Sequence, residues 1–181
     1  MRYLLLVTTL LFLFVACDEH FRTVEGNGVS ETRDKTLGRF TRLEVSGSFK
    51  VIIVPSDEHK VVVEADENLH DYIRIEEEDN RVKIKMKNNV RIKTPRSIIL
   101  TVYMRDVSKL ELAGSVNLKS EGVLEHSEKL EITIAGSGDA DIEVKSPEVK
   151  ISIGGAGKVE AAGKTRDLDI SIAGSGDFLG E

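Results

Sequence analysis

The chain has 181 residues, enough for one domain with a sizeable core, and carries 25 Lys plus Arg against 31 Asp plus Glu. A formal net charge of −6 argues against nucleic acid as a main partner, because phosphate binding needs a basic footprint. Aromatics make up only 5% of the residues, Trp is absent and there is one Cys. The core must therefore be built from Val, Ile, Leu and Ala, and neither an internal disulfide framework nor a Cys-based zinc site is available.

Arg2 precedes the apolar run YLLLVTTLLFLFVA over residues 3–16, the charged n-region and h-region of a secretory signal. A transmembrane anchor is the weaker reading, since a span wants about 20 apolar residues and this run leads straight into Cys17-Asp18-Glu19. Phe14-Val15-Ala16-Cys17 resembles a lipobox, although Phe14 stands where Leu is usual. Residues 1–16 are thus expected to be a signal peptide and Cys17 a lipid anchor, whose acyl chains supply the two signals that stable anchoring requires. The membrane is then a partner through the N-terminal lipid. The expected location is the bacterial cell envelope, at the outer membrane or cell surface.

Residues 17–41 are polar, carry Gly26, Gly28 and Gly38, and read as a tether. A domain is expected over 42–181. Period-2 alternation opens it, with Leu43 and Val45, then Val61, Val63 and Ala65, then Ile73 and Ile75 on alternate positions, the pattern of half-buried strands. Asp66 to Tyr72, DENLHDY, is the one short helix expected, with Asp66 as its N-cap. Arg81 to Lys87, RVKIKMK, sets Val82, Ile84 and Met86 against a basic stripe. Glu78-Asp79-Asn80 is a turn-prone link, so these lysines are expected to meet Glu76 and Glu77 across a hairpin rather than to form an anion site.

From about residue 107 four segments share a pattern: LELAGSVNLKSEG, LEITIAGSGDADIEV, VKISIGGAGKVEAAG and LDISIAGSGDFLGE. Their turns open at Ala113, Ala135, Gly154 and Ala173, a spacing of roughly 19–22 residues in which the first interval is the longest. Such a period implies a solenoid whose units bury their apolar faces only by stacking. Stacking places Ile132, Ile151 and Ile170 in one interior ladder and Ile134, Ile153 and Ile172 in a second, with Ala140 and Val159 beyond the turn. The outward columns alternate in sign. Lys109, Glu131, Lys150 and Asp169 form one and Asp139, Lys158 and Asp177 another, while Thr133, Ser152 and Ser171 make a hydroxyl ladder.

These columns supply the candidate binding surface: Glu131, Lys150, Asp169, Asp139, Asp141, Lys158, Glu160 and Asp177. Calcium at Asp139 and Asp141 is disfavoured, because a calcium roll wants its ligand where Ala140 stands and the next repeat replaces Asp139 with Lys158. His20, His59, His70 and His126 lack metal-ligand spacing and read as surface residues. Ser137 and Ser175 lie outside any nucleophile elbow and read as turn residues. No metal, cofactor or catalytic residue is implied.

Val45-Ser46-Gly47-Ser48-Phe49-Lys50-Val51, Glu64-Ala65-Asp66-Glu67-Asn68-Leu69 and the repeated Ala-Gly-Ser-Gly-Asp resemble the putative auto-transporter adhesin family known as the head GIN domain, from about Leu37 to the end. The resemblance implies an all-β fold, a right-handed parallel β-helix with coils of about 19–22 residues, on an exported protein and without catalytic residues. Similar members continue past the last Gly-Ser-Gly-Asp turn, whereas here Phe178-Leu179-Gly180-Glu181 stops partway through a coil. The expected role is a non-enzymatic envelope or cell-surface binding module, with a glycan or protein ligand and self-association through a coil edge as the interactions to test. A carbohydrate-active enzyme on the same scaffold is the alternative, resting on fold analogy alone, and a structural or signalling envelope role is a third.

Overall fold

Alternating strands that turn through small residues need two walls to bury one apolar face, and the chain builds them by crossing repeatedly between two sheets. A computed structural model describes residues 22–181. The N-terminal half contains β1 (Arg22–Glu25), β2 (Ser30–Thr36), β3 (Arg42–Gly47), β4 (Lys50–Pro55) and β5 (Lys60–Asp66). A 3-10 turn at Glu67–Tyr72 leads to β6 (Ile73–Glu78), β7 (Arg81–Met86), β8 (Val90–Lys93) and β9 (Ile99–Met104). The repeats supply β10 (Lys109–Gly114), β11 (Asn117–Glu125), β12 (Lys129–Gly136), β13 (Ala140–Lys145), β14 (Glu148–Gly155), β15 (Lys158–Lys164), β16 (Asp167–Gly174) and β17 (Asp177–Gly180). The fold is all-β, as expected, and its sheets are open.

The first large sheet runs β16-β14-β12-β10-β3-β7-β6 and the second β17-β15-β13-β11-β4-β9-β5-β2. From β10 onward each strand pairs in parallel with the strand one repeat later. The register is the one the repeats predict: Ala113, Ala135, Gly154 and Ala173 are successive partners, as are Ile132, Ile151 and Ile170. The core between the sheets is aliphatic, with Leu110, Leu130, Ile132, Ile151 and Ile153 from one sheet and Leu118, Ile142, Val144 and Val159 from the other. Ile170 and Ile172 continue the ladders on β16, the edge strand, and are 36% and 43% exposed there.

The longer first interval has a local cause. Leu118 pairs with Ala140, but by the end of the strand Glu125 pairs with Lys145, because the β11 register slips between Lys119 and Val123. The extra residues of β11 form a bulge at Gly122, where φ is +121°. Lys129 then pairs with Glu148, so the link from Glu125 to Lys129 absorbs what remains of the difference.

The N-terminal half is not stacked in chain order. β3 lies between β10 and β7, and β4 between β11 and β9. The chain therefore enters the stack in its middle at β3, runs outward through β5 to β9, and returns to the other edge of β3 with β10. The Ser108 N–H donates to the Thr41 carbonyl at 2.8 Å where it re-enters. The outer end is closed by antiparallel pairing of β6 with β7, β5 with β9 and β2 with β5. Phe40, Leu69, Leu100 and Met104 are fully buried beneath it.

Two expectations are corrected here. Of the stretch read as a tether, residues 22–36 carry two strands: β1 pairs with β8, β2 pairs along its whole length with β5, and Leu37 and Phe40 are buried. Its polar composition misled because β2 is an edge strand, held by backbone hydrogen bonds while most of its side chains face water. The short helix is a 3-10 turn, and Asp66 makes no side-chain cap. The Asp66 carboxylate is instead buried and accepts a hydrogen bond from the Thr94 hydroxyl at 2.9 Å.

Candidate functional site

The expected binding residues fall on both large sheets rather than on one. Glu131, Lys150 and Asp169 stand on β12, β14 and β16, in register with Lys109 on β10. Lys150 Nζ lies 3.6 Å from Asp169 Oδ2. Glu131 is served first by its own strand: Lys129 Nζ lies 3.1 Å from it and 2.9 Å from Glu148. The hydrogen bond from Lys129 holds the Glu131 carboxyl below the usual carboxylate range, against the opposing effect of burial. Glu148 in turn holds the Lys129 ammonium above its ordinary value.

The second column lies on the other sheet. The Lys158 backbone N–H donates to Asp139 Oδ1 at 3.0 Å across adjacent turns. Lys158 also pairs with Glu160, whose hydrogen bond raises the lysine pKa. Lys119 Nζ sits 3.5 Å from Asp141, and Asp177 is the register partner of Lys158. Ala140 between the two aspartates is buried in the core. These carboxylates face cations or backbone donors, and among the described residues no three His, Cys, Asp or Glu side chains are grouped to hold a metal. The ladders stabilise the stack and present two mixed-charge faces.

The hairpin expectation holds in part, since Lys85 meets an acid across β6 and β7 while Lys83 turns to β3 and Glu77 accepts from the Gly38 N–H. Lys85 pairs with Glu76 at 2.9 Å, Lys83 pairs with Glu44, and Arg81 with Glu78. Of the histidines read as surface residues, His70 is buried and His59 and His126 are half-buried. His70 is buried with Nε2 3.0 Å from the Glu31 carbonyl, and His59 packs edge-on to Phe40 with its Nε2 buried. His126 Nδ1 accepts from the backbone N–H groups of Glu128 and Lys129, both at 3.2 Å. His70 and His59 both sit in the capped end, whose packing no local pattern announces. His20 and the expected lipid-bearing Cys17 lie outside the described residues.

Two concave regions flank the sheets. At the link side a groove of about 580 Å³ runs past Glu125, His126, Lys145, Pro147 and Thr165. At the turn side a cleft of about 550 Å³ is lined by Ser48, Lys50, Ile92, Arg96 and Asn117, among others, and by no Asp or Glu. Sequence reasoning missed this second cleft. A signal for it existed: residues 80–105 contain eight Lys or Arg and no acidic residue.

No curated protein matches the chain. Among solved structures, a putative cell adhesion protein from Clostridium sporogenes is 14% identical with a TM-score of 0.53, covering 84% of this chain and 100% of that one. A putative adhesin from Parabacteroides distasonis is 14% identical with a TM-score of 0.49, over 88% of this chain and 100% of that chain. One from Parabacteroides merdae is 18% identical with a TM-score of 0.46, over 88% and 99%. The first of these resemblances bears on fold alone. Residues 39–181 match the family model described as putative auto-transporter adhesin, head GIN domain, and the chain belongs to that family.

Proposed function

We propose that this chain is a lipid-anchored, non-enzymatic adhesion module of the cell envelope, built as a right-handed parallel β-helix and binding a glycan or protein through its outward surfaces. The observation that carries the reading is the pairing of the outward columns, in which strands alternate between two sheets with parallel partners one repeat apart. Carboxylates that would serve an acid-base pair are engaged in that pairing: Asp139 with the Lys158 N–H, Asp141 with Lys119, Glu160 with Lys158. Such a surface is rigid and repetitive, suited to contact rather than to proton transfer. The family's name and that of the Clostridium sporogenes structure point to adhesion. The run at residues 3–16 followed by Cys17 supports export and lipidation.

The test is binding of the full chain, in non-ionic detergent, to immobilised glycans and envelope proteins, with product analysis on any polysaccharide that binds. Saturable binding without cleavage is expected. Cleavage of a bound polysaccharide, or no binding to any surface presented, overturns the adhesion reading. Intact mass of the native N-terminus checks the anchor, which an unmodified Cys17 or an uncleaved Met1 overturns.

A further inference from the structure

Most strand pairs of the stack cross from one sheet to the other through a tight small-residue turn, such as Gly47-Ser48 after β3 and Gly114-Ser115 after β10. Between β7 and β9 the chain instead swings outward through β8, which pairs with β1 alone among the described strands. A ledge results, and the acid-free cleft sits on it.

One edge of β8 is occupied. Arg22 N–H donates to the Asn89 carbonyl at 2.8 Å and Gly26 N–H to the Lys93 carbonyl at 3.0 Å. The N–H and C=O of one strand residue point to the same edge, and successive residues alternate. Odd-numbered residues of β8 therefore face β1, and Val90 and Ile92 direct their N–H and C=O groups to the opposite edge. Both residues line the cleft. The open edges of β2 and β6 are blunted by charge, whereas β16 at the far end of the stack leaves Leu168, Ile170 and Ile172 partly exposed. The β8 edge is recessed and carries Val and Ile.

Cations share the cleft with it. Lys50 and Arg96 line the cleft, and neither side chain pairs with a carboxylate among the described residues. The cross-strand partners of Lys50 are the uncharged Asn117 and Ile99. Arg91 lines the cleft too, but it is engaged in an interaction of its own and carries no weight here.

We propose that this ledge binds a short extended acidic peptide, added as a strand to the Val90–Ile92 edge of β8, with Lys50 and Arg96 holding its carboxylates. Main-chain groups on alternate residues repeat every ~6.8 Å along a strand, which a peptide backbone matches and a saccharide does not. Charge-assisted bonds from the ammonium and the guanidinium select Glu or Asp at the alternate positions. The cleft volume lies within the range of about 300–1,000 Å³ typical of ligand sites. The site is separate from the outward columns and independent of lipidation.

The test uses the full chain in non-ionic detergent and fluorescein-labelled acetyl-Val-Glu-Val-Glu-Val-amide, followed by anisotropy at low salt. Saturable binding is expected, weakened about tenfold or more by Lys50→Ala and by Arg96→Ala, as the loss of one charge-assisted bond implies. Both residues are exposed, so these variants should melt like the parent. Methylating the backbone nitrogens of the peptide's Val residues or those of its Glu residues should abolish binding for one set and spare it for the other, since only one set faces β8, and the peptide with Lys for Glu should fail to bind. On binding, amide exchange should slow at Val90 and Ile92 while Arg91 is unchanged. Absence of saturable binding, unimpaired binding of both N-methylated peptides, equal binding of the lysine peptide, or indifference to both alanine variants overturns the proposal. So does displacement by polygalacturonate with no change in exchange at Val90 and Ile92, which would make the cleft an anionic-saccharide site.

Discussion

At the scale of single residues, the turn glycines divide into those the fold requires and those it tolerates. Gly155 has φ +125°, and a Cβ there would lie 2.2 Å from the Gly136 carbonyl oxygen in the neighbouring turn. Gly154, its neighbour, has no such φ, and a Cβ would meet nothing closer than the Ile134 carbonyl at 3.7 Å. Its register partners are Ala135 and Ala173. Gly155→Ala is therefore expected to cost about 1–3 kcal/mol in backbone strain, with the clash added, lowering the melting midpoint by roughly 5–10 °C. Gly154→Ala should raise stability by about 0.4–1 kcal/mol through loss of unfolded-state freedom. Thermal melts of the two variants decide it, and equal effects would mean that the turns do not stack as described.

At the scale of the element, β14 combines an inward ladder with an outward charge column. Ile151 is fully buried and Ser152, next to it, faces outward. Ile151→Asp strands a carboxylate in the core and should cost several kcal/mol, whereas Ser152→Asp should stay within about 0.5 kcal/mol. Should the first variant fail to fold, Ile151→Val is expected to cost about 0.5–1.5 kcal/mol. The period-2 pattern alone assigned these faces, and the structure agrees. In the outward column Lys150→Glu would place a carboxylate between Glu131 and Asp169, on strands about 4.8 Å apart. A double-mutant cycle at low salt should give Lys150 and Asp169 a coupling of about 0.2–1 kcal/mol that shrinks at high salt. Coupling of Lys150 to Glu131 should be smaller, since Lys129 already bonds that carboxylate. The swap with Glu131→Lys should recover only part of the loss, because the new lysine would meet Lys109 and Lys129.

At the scale of the whole molecule, ion pairs within strands and between them set the pH response. The carboxyls of Glu25, Glu31, Glu76 and Glu131 are held below the ordinary 4.5, chiefly by hydrogen bonds from Lys93, Arg33, Lys85 and Lys129. A depressed folded value contributes stability that is present above about pH 4.5 and lost as the pH falls through the folded pKa. Lys60, Lys93, Lys129 and Lys158 are raised above 10.5, first by hydrogen bonds with Glu58, Glu25, Glu148 and Glu160. Their contribution is present below about pH 10.5 and lost as the pH rises through the raised values. The melting midpoint should therefore be flat across neutral pH, fall below about pH 4.5 and fall again in strong alkali. These groups are exposed and screened, so added salt should reduce both slopes.

Local pattern in the sequence determined much of this protein. Alternation with period 2 says which side chains face inward, and the regular spacing of the small-residue turns says which residues of successive repeats become neighbours, because one extra residue would turn every apolar side chain outward. Ile132, Ile151 and the column from Lys109 to Asp169 were legible for that reason. Tertiary structure decided what no short window encodes. β3 offers two edges for parallel pairing, and its place between β7 and β10 is fixed by Phe40, Leu69 and Met104 closing the core beneath the antiparallel end. The polar strand β2 is held by backbone hydrogen bonds to β5, which leave no trace in side-chain composition. The cleft exists only because β8 swings out where its neighbours turn tightly, bringing Lys50 and Arg96 together from distant parts of the chain.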